Sequence, residues 1–239
     1  LILFAAVVGA LALSLPGAFA GGTSTPGVTP TSILIGGTAP LTGPETAYAP
    51  VARGAQAYFA YVNAHGGVFK RKITYKVDDD AYDPSKTVQA TRELVQQDGV
   101  FAIFNSIGTE HVLAVRPYLN AVGVPQLFVG SGADVIAKQR AKYKWTMGYL
   151  PSFSGEGAVY GRYIRKHLKG TTIAVLAEHS EYGNELVRGL RAGLKGKAKI
   201  LAGRTYEVTD TDVKSQVGSL MATGAKATML LARRKQALQ

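Results

Sequence analysis

Three loops in this chain place hydroxyls, an aromatic ring or small-residue backbone where a helix is expected to begin. The first is Thr38–Pro44 (TAPLTGP), which carries the hydroxyl of Thr42, with the ring of Tyr48 close behind it. The second is Asn105–His111 (NSIGTEH), where Thr109 stands at a helix N-cap position. A hydroxyl there serves the free N–H groups of the first turn, and the plain reading of Thr109 is a cap and nothing more. The third is Gly130-Ser131-Gly132, whose backbone N–H groups can come close to a small anion, although Gly-Ser-Gly is also ordinary turn chemistry. Hydroxyls and backbone N–H groups suit a carboxylate, and aromatic rings suit the body of a small organic molecule. This is the chemistry of binding.

Residues for catalysis are harder to find. The four histidines, His65, His111, His167 and His179, do not form an H-E-x-x-H pair, and there is no G-x-S-x-G nucleophile turn. No G-x-G-x-x-G follows the first apolar run and no P-loop occurs, which argues against a nucleotide or dinucleotide enzyme. The chain has no cysteine, which excludes a disulfide framework, a thiol nucleophile and a cysteine-based zinc site. Asp78-Asp79-Asp80 suggests a metal at first sight. Strand neighbours point to opposite faces, however, and no further ligands follow at a binding-loop spacing, so the run reads as a polar strand end. Asp79, and Arg162 on a later helix, are expected to meet only the strand end and solvent. Neither a metal nor a cofactor is expected.

The elements that must position these loops alternate strand and helix. Ile33–Gly37 is short and apolar, as in a strand buried on both faces, and a helix follows with Val51, Ala55, Tyr58 or Phe59, and Val62 inward. Lys72–Val77 is a second strand. Asp83 is expected as N-cap with Pro84 at the first helical position of a helix over 84–97, with Val88, Thr91, Leu94 and Val95 inward. Strands over 100–104, 123–129 and 145–148 and a helix carrying Val112, Val115 and Leu119 complete a first lobe. After 148–154 the pattern restarts. A helix over 154–168 turns Tyr160, Ile164 and Leu168 inward, and the strand Thr172–Ala177 opens into Glu178-His179-Ser180-Glu181-Tyr182-Gly183. A helix with Leu186 or Val187, Leu190 and Leu194 follows, then a strand over 198–207, a helix over 211–223 and a strand over 227–231. Two such series predict an α/β protein of two doubly wound, Rossmann-like lobes joined by a hinge, with the second lobe incomplete at three strands.

Several motifs along residues 31–239 resemble the periplasmic substrate-binding proteins of branched-chain amino-acid-type ABC transporters, the leucine/isoleucine/valine-binding protein family. They are G-x-x-x-P-L-T-G-P (Gly36–Pro44), Tyr48, G-A-Q-A-Y (Gly54–Tyr58), N-A-H-G-G (Asn63–Gly67), D-D-A-Y-D-P (Asp79–Pro84), W-T-M-G (Trp145–Gly148) and E-Y-G (Glu181–Gly183). The resemblance implies a type I periplasmic binding fold that closes two lobes over a small carboxylate-bearing ligand. It implies ligand contacts from Tyr48, from Thr109 and from Gly130, Ser131 and Gly132 to the carboxylate, and from Tyr182 across the cleft. It also implies an ABC permease as membrane partner and a monomeric protein. The family's carboxylate loop is Ala-Ala-Thr where this chain has Gly-Ser-Gly, closer to relatives that take other small carboxylates, and its ammonium-binding acid is expected beyond Gln239. A ligand sensor of the same fold, or an exported α/β enzyme, is the alternative.

Residues 1–20 (LILFAAVVGALALSLPGAFA) are uncharged and end in the A-x-A sequence Ala18-Phe19-Ala20, which predicts a cleaved signal peptide and an exported protein. Residues 21–31 are expected as a flexible lead, 32–148 as the N-terminal lobe and 149–239 as the C-terminal lobe. Lys and Arg total 27 against 16 Asp and Glu, a net charge of +11. Arg162, Arg165, Lys166 and Lys169 follow helical spacing without interleaved aromatics, so the excess reads as a solvated face and not as a nucleic-acid surface.

Overall fold

The computed structural model describes residues 25–238. The expected signal segment, residues 1–20, lies outside the described residues. All strand pairing within the two sheets is parallel. The first sheet holds β1 (Ser32–Ala39), β2 (Lys72–Asp79), β3 (Ala102–Phe104), β4 (Gln126–Val129) and β5 (Thr146–Gly148) in the order β2-β1-β3-β4-β5. The second holds β6 (Thr172–Glu178), β7 (Lys199–Tyr206) and β8 (Ala227–Leu231) in the order β7-β6-β8. The helices α1 (Ala49–Ala64), α2 (Pro84–Gln96), α3 (Thr109–Val122) and the short α4 (Asp134–Lys138) connect the first sheet. The helices α5 (Phe153–His167), α6 (Glu181–Leu194), α7 (Lys214–Met221) and the single-turn α8 (Arg234–Ala237) belong to the second. In both sheets the strand order reverses on either side of the first strand, and at such a switch point the loops after neighbouring strands diverge and leave a crevice.

Burial explains the order. The sequence TIAVLAE of β6 is apolar on both faces and sits between its two neighbours, whereas β2 alternates exposed and half-buried residues as an edge strand does. Leu94 of α2, Ile103 of β3, and Val115 and Leu119 of α3 meet Val100 in one core. The expected start of α2 is found: Asp83 accepts a hydrogen bond from the Ser85 N–H at 2.8 Å, with Pro84 in the first helical position.

Two helix faces differ from expectation. In α1 the inward residues are Ala52, Ala55, Phe59 and Val62, while Val51 and Tyr58 are 40% and 64% exposed. The Phe59 ring meets Tyr75 and Phe104 at 5.5 and 5.4 Å, and that contact turns the helix one residue away from Val51. In α5, Leu168 lies past the last turn and is exposed. The buried face there is Gly157, Gly161 and Ile164, because α5 and α6 touch backbone to backbone. A Cβ at Gly189 of α6 would lie 2.0 Å from the Ser154 carbonyl oxygen.

Residues 25–31 are anchored along the first sheet. The Leu34 N–H donates to the Gly27 carbonyl at 2.7 Å, Arg71 Nε donates to the Thr29 carbonyl at 2.8 Å, and Gly27, at φ +71°, lies against the Phe101 backbone. The two sheets are tied together at their C-terminal edges. The Asp134 N–H donates to both Glu185 carboxylate oxygens (3.1 and 2.9 Å), Ser154 Oγ donates to both Asp134 oxygens (2.9 and 2.7 Å), and the Glu181 N–H donates to Glu110 Oε1 (3.2 Å).

Candidate functional site

The loop after β1 is held from β2. Asp79 Oδ1 accepts from the N–H groups of Leu41 (2.9 Å), Thr42 (3.1 Å) and Ala81 (2.9 Å), and Oδ2 accepts from Thr42 Oγ1 at 2.5 Å. Thr42 therefore spends its hydroxyl inside the protein. The expectation that Asp79 meets only the strand end and solvent is overturned, because the side chain points back across the edge to the neighbouring strand's loop. Burial opposes the Asp79 charge, but the hydrogen bonds from Thr42, Ala81 and Leu41 outweigh it and hold the carboxyl below its ordinary value. Asp79→Ala should speed amide hydrogen exchange at Leu41 and Thr42 by roughly five- to tenfold, the loss of about 1 kcal/mol of local hydrogen bonding. Unchanged exchange at both amides would mean that the loop holds itself.

Asp80 turns the other way, into the core. It is fully buried, and it accepts from the Tyr82 N–H at 3.0 Å and from Thr87 Oγ1 at 3.0 Å; burial pushes its carboxyl up. The His111 ring lies 4.2 Å from the Tyr82 ring, and burial lowers its basicity while Asp80 pulls the other way. The ring fits because Gly108 has no side chain: a Cβ there would meet His111 Nδ1 at 2.3 Å.

That glycine also decides the role of Thr109. Gly108, at φ 106°, is the N-cap of α3, and Thr109 is the first residue of the helix, not its cap. Released from capping, Thr109 Oγ1 lies 2.8 Å from Ser131 Oγ, and both residues are only 2% exposed. Ser131 Oγ also accepts from the Ala133 N–H at 3.2 Å. Two hydroxyls that share one hydrogen bond leave one O–H proton for a third group, at the N-terminal turn of a 14-residue helix.

The neighbouring glycines divide. The Gly130 N–H is spent on the Ser106 carbonyl at 2.7 Å, whereas the Ser131 and Gly132 N–H groups have no partner among the described residues. A Cβ at Gly132 would lie 2.2 Å from the Pro151 carbonyl and 2.9 Å from the Phe153 ring. Phe153 in turn meets Tyr182, in the first turn of α6, edge-on at 4.9 Å. Burial pushes the Tyr182 hydroxyl up to about 12. Tyr48, half-buried, ends the 3-10 turn Thr46–Tyr48 that leads into α1. The structure thus brings Thr109 and Ser131 into contact and links Gly132 through Phe153 to Tyr182.

Sequence reasoning missed Arg233. It stands in the run Arg233-Arg234-Lys235, just after β8, at that strand's C-terminal edge. Its Nε and Nη2 donate to the two oxygens of buried Glu178, its N–H donates to Tyr206 Oη at 2.8 Å, and its guanidinium lies 4.9 Å from the Tyr82 ring and 5.1 Å from the Tyr182 ring. Tyr82 comes from the loop after β2 of the first sheet and Tyr182 from the first turn of α6 beside the second, so Arg233 sits between the lobes.

A sequence profile described as periplasmic binding protein matches residues 32–238, nearly everything described here. The chain belongs to this family. A Leu/Ile/Val-binding protein homolog of Brucella melitensis is 30% identical over 199 residues, covering 81% of this chain and 52% of that protein. Among solved structures, a fatty acid ABC transporter substrate-binding protein from Thermomonospora curvata superposes with a TM-score of 0.73 at 25% identity, covering 86% of this chain and 52% of that one. An isoleucine complex of a branched-chain amino acid transporter substrate-binding protein from Streptococcus pneumoniae has a TM-score of 0.75 at 21% identity, covering 84% and 57%, and supports the fold. This periplasmic binding protein chain spans about half the length of these relatives. The relatives are solute-binding proteins, not enzymes. No described helix is long and apolar enough to cross a membrane.

Proposed function

We propose that this chain forms the ligand-binding part of an exported solute-binding protein that captures a small carboxylate-bearing molecule and delivers it to an ABC permease. Residues 32–148 and 149–239 would act as the two lobes of a monomer, residues 1–20 as the cleaved signal peptide. The observation that carries the reading is the buried Thr109–Ser131 hydroxyl pair, 2.8 Å apart at the first turn of α3, with the free Ser131 and Gly132 N–H groups beside it. Such donors match a carboxylate, and the N-terminal turn adds favourable partial charge. Gly130 would shape the loop, and Tyr48 and Tyr182 would pack the ligand's body from the two lobes. The names of two relatives support a carboxylate-bearing ligand: Leu/Ile/Val-binding in one, fatty acid in the other.

Calorimetric titration of the full-length protein with aliphatic and aromatic acids and the matching amino acids tests this. Thr109→Ala and Ser131→Ala should each weaken binding by roughly 1–3 kcal/mol, since one removes the hydroxyl that donates to the carboxylate and the other removes the hydroxyl that orients it. Because the hydroxyls share one hydrogen bond, the double substitution should cost less than the sum of the singles. Arg162→Ala, on the exposed face of α5, should leave affinity unchanged. Unaltered affinity in both single variants would remove the carboxylate site from this crevice.

A further inference from the structure

The second sheet's side carries a donor group that lies between the two lobes, and nothing in the family resemblance or the comparisons assigns it. Resting on the carboxylate-site reading above, we infer that Arg233 is a specificity-determining residue, and that the ligand carries an oxygen acceptor, such as a second carboxylate, at its far end. Arginine has five N–H donors in a rigid fork. Two are spent on Glu178, through Nε and Nη2, and the Nη1 donors have no partner among the described residues. Arg233 is 8% exposed and its guanidinium is flanked by the Tyr82 and Tyr182 rings, where an unused donor gains more from an anionic acceptor than it would in water.

A second group lies on the same turn. Gln236, three residues after Arg233 across the single turn of α8, is 2% exposed, and neither its amide nitrogen nor its amide oxygen has a partner. The first lobe offers hydroxyls and N–H groups at Thr109, Ser131 and Gly132, and the second offers guanidinium and amide N–H groups. Gly132, Phe153, Tyr182 and Arg233 touch in sequence, so the two donor ends belong to one crevice. A molecule that satisfies both carries acceptors at both ends.

The test is calorimetric titration of the full-length protein with matched pairs, hexanoate against adipate and benzoate against terephthalate, and with norleucine as the amino-acid arm. The dicarboxylate of at least one pair should bind about tenfold tighter than its partner, the usual gain from one charge-assisted contact. Arg233→Met should erase that difference by weakening the dicarboxylate while leaving the monocarboxylate within about threefold, and Arg233→Lys should recover part of it. Arg233→Met leaves Glu178 buried without its partner, so Arg233→Met/Glu178→Gln carries the same comparison with the charge removed from both. Norleucine binding tightest, or equal weakening of both members of a pair by Arg233→Met, overturns the role of Arg233 while the carboxylate site stands. If none of the five binds, both readings fall.

Discussion

Gly189→Ala should destabilise the protein by about 3 kcal/mol, although alanine is the better helix former by about 1 kcal/mol. The added Cβ would lie 2.0 Å from the Ser154 carbonyl oxygen and 2.9 Å from the Ala158 nitrogen, so the α5 backbone would have to move. Gly157, Gly161 and Gly193 make equally close approaches across the same seam, at 2.1 to 2.4 Å from backbone oxygens, and lifting the helices apart at one point strains the others. Overpacking a dense interior in this way exceeds the gain in propensity. The opposite sign is expected at Gly54 in α1 and Gly218 in α7, where an added Cβ meets nothing within 4 Å. Alanine there should stabilise by about 0.5–1 kcal/mol, since only backbone freedom is lost. Urea unfolding of the three variants measures all of this, and a neutral Gly189→Ala would mean that α5 and α6 separate easily.

What was legible in the sequence follows from what depends on neighbours along the chain. The strand and helix order, the Asp83 cap and the inward faces of α2, α3 and α6 came from local periodicity, because Leu94, Leu119 and Leu190 each repeat at helical spacing within one element. The phase of α1 was not legible, since Phe59 is chosen over Tyr58 by Tyr75 and Phe104, residues from two other strands. Four glycines on two helices carry no hydrophobic signal, so nothing in the sequence marks the α5–α6 seam. At the site, Thr109 and Ser131 were found as residue types on the right loops. Their contact depends on Gly108 taking the cap position, and on a residue 22 positions away. Asp79 was misjudged, and Arg233 missed, for the same reason. A charged side chain at a strand end looks solvated until the next strand's loop, or the other lobe, closes over it.

Glu178→Ala should cost about 3–5 kcal/mol, the range for breaking a buried ion pair from one side. Glu178 is 3% exposed at the end of β6, and its carboxylate accepts from Arg233 Nε, from Arg233 Nη2 at 3.0 Å and from Tyr206 Oη at 3.4 Å. Removing it leaves the Arg233 guanidinium in a nearly dry setting between two tyrosine rings, with no counter-charge for its Nε and Nη2 donors. Glu178→Gln should cost less, because the amide oxygen still accepts one hydrogen bond, though from an uncompensated cation. The pair itself need not be stabilising. Replacing it by Glu178→Leu/Arg233→Met should recover much of the loss, since desolvating two charges takes back most of what their attraction supplies. Comparing the singles with the double in one set of denaturation curves separates these terms. The position of the pair adds a consequence that a purely internal salt bridge would not have. Arg233 reaches the Tyr82 ring of the opposite lobe at 4.9 Å, so Glu178→Ala should also free Tyr82 and raise amide exchange at Ala81 and Tyr82, whereas exchange in β1 stays slow. A single-variant cost below about 1 kcal/mol, the level of an exposed pair, would show that water reaches Arg233 and that the crevice between the lobes is open.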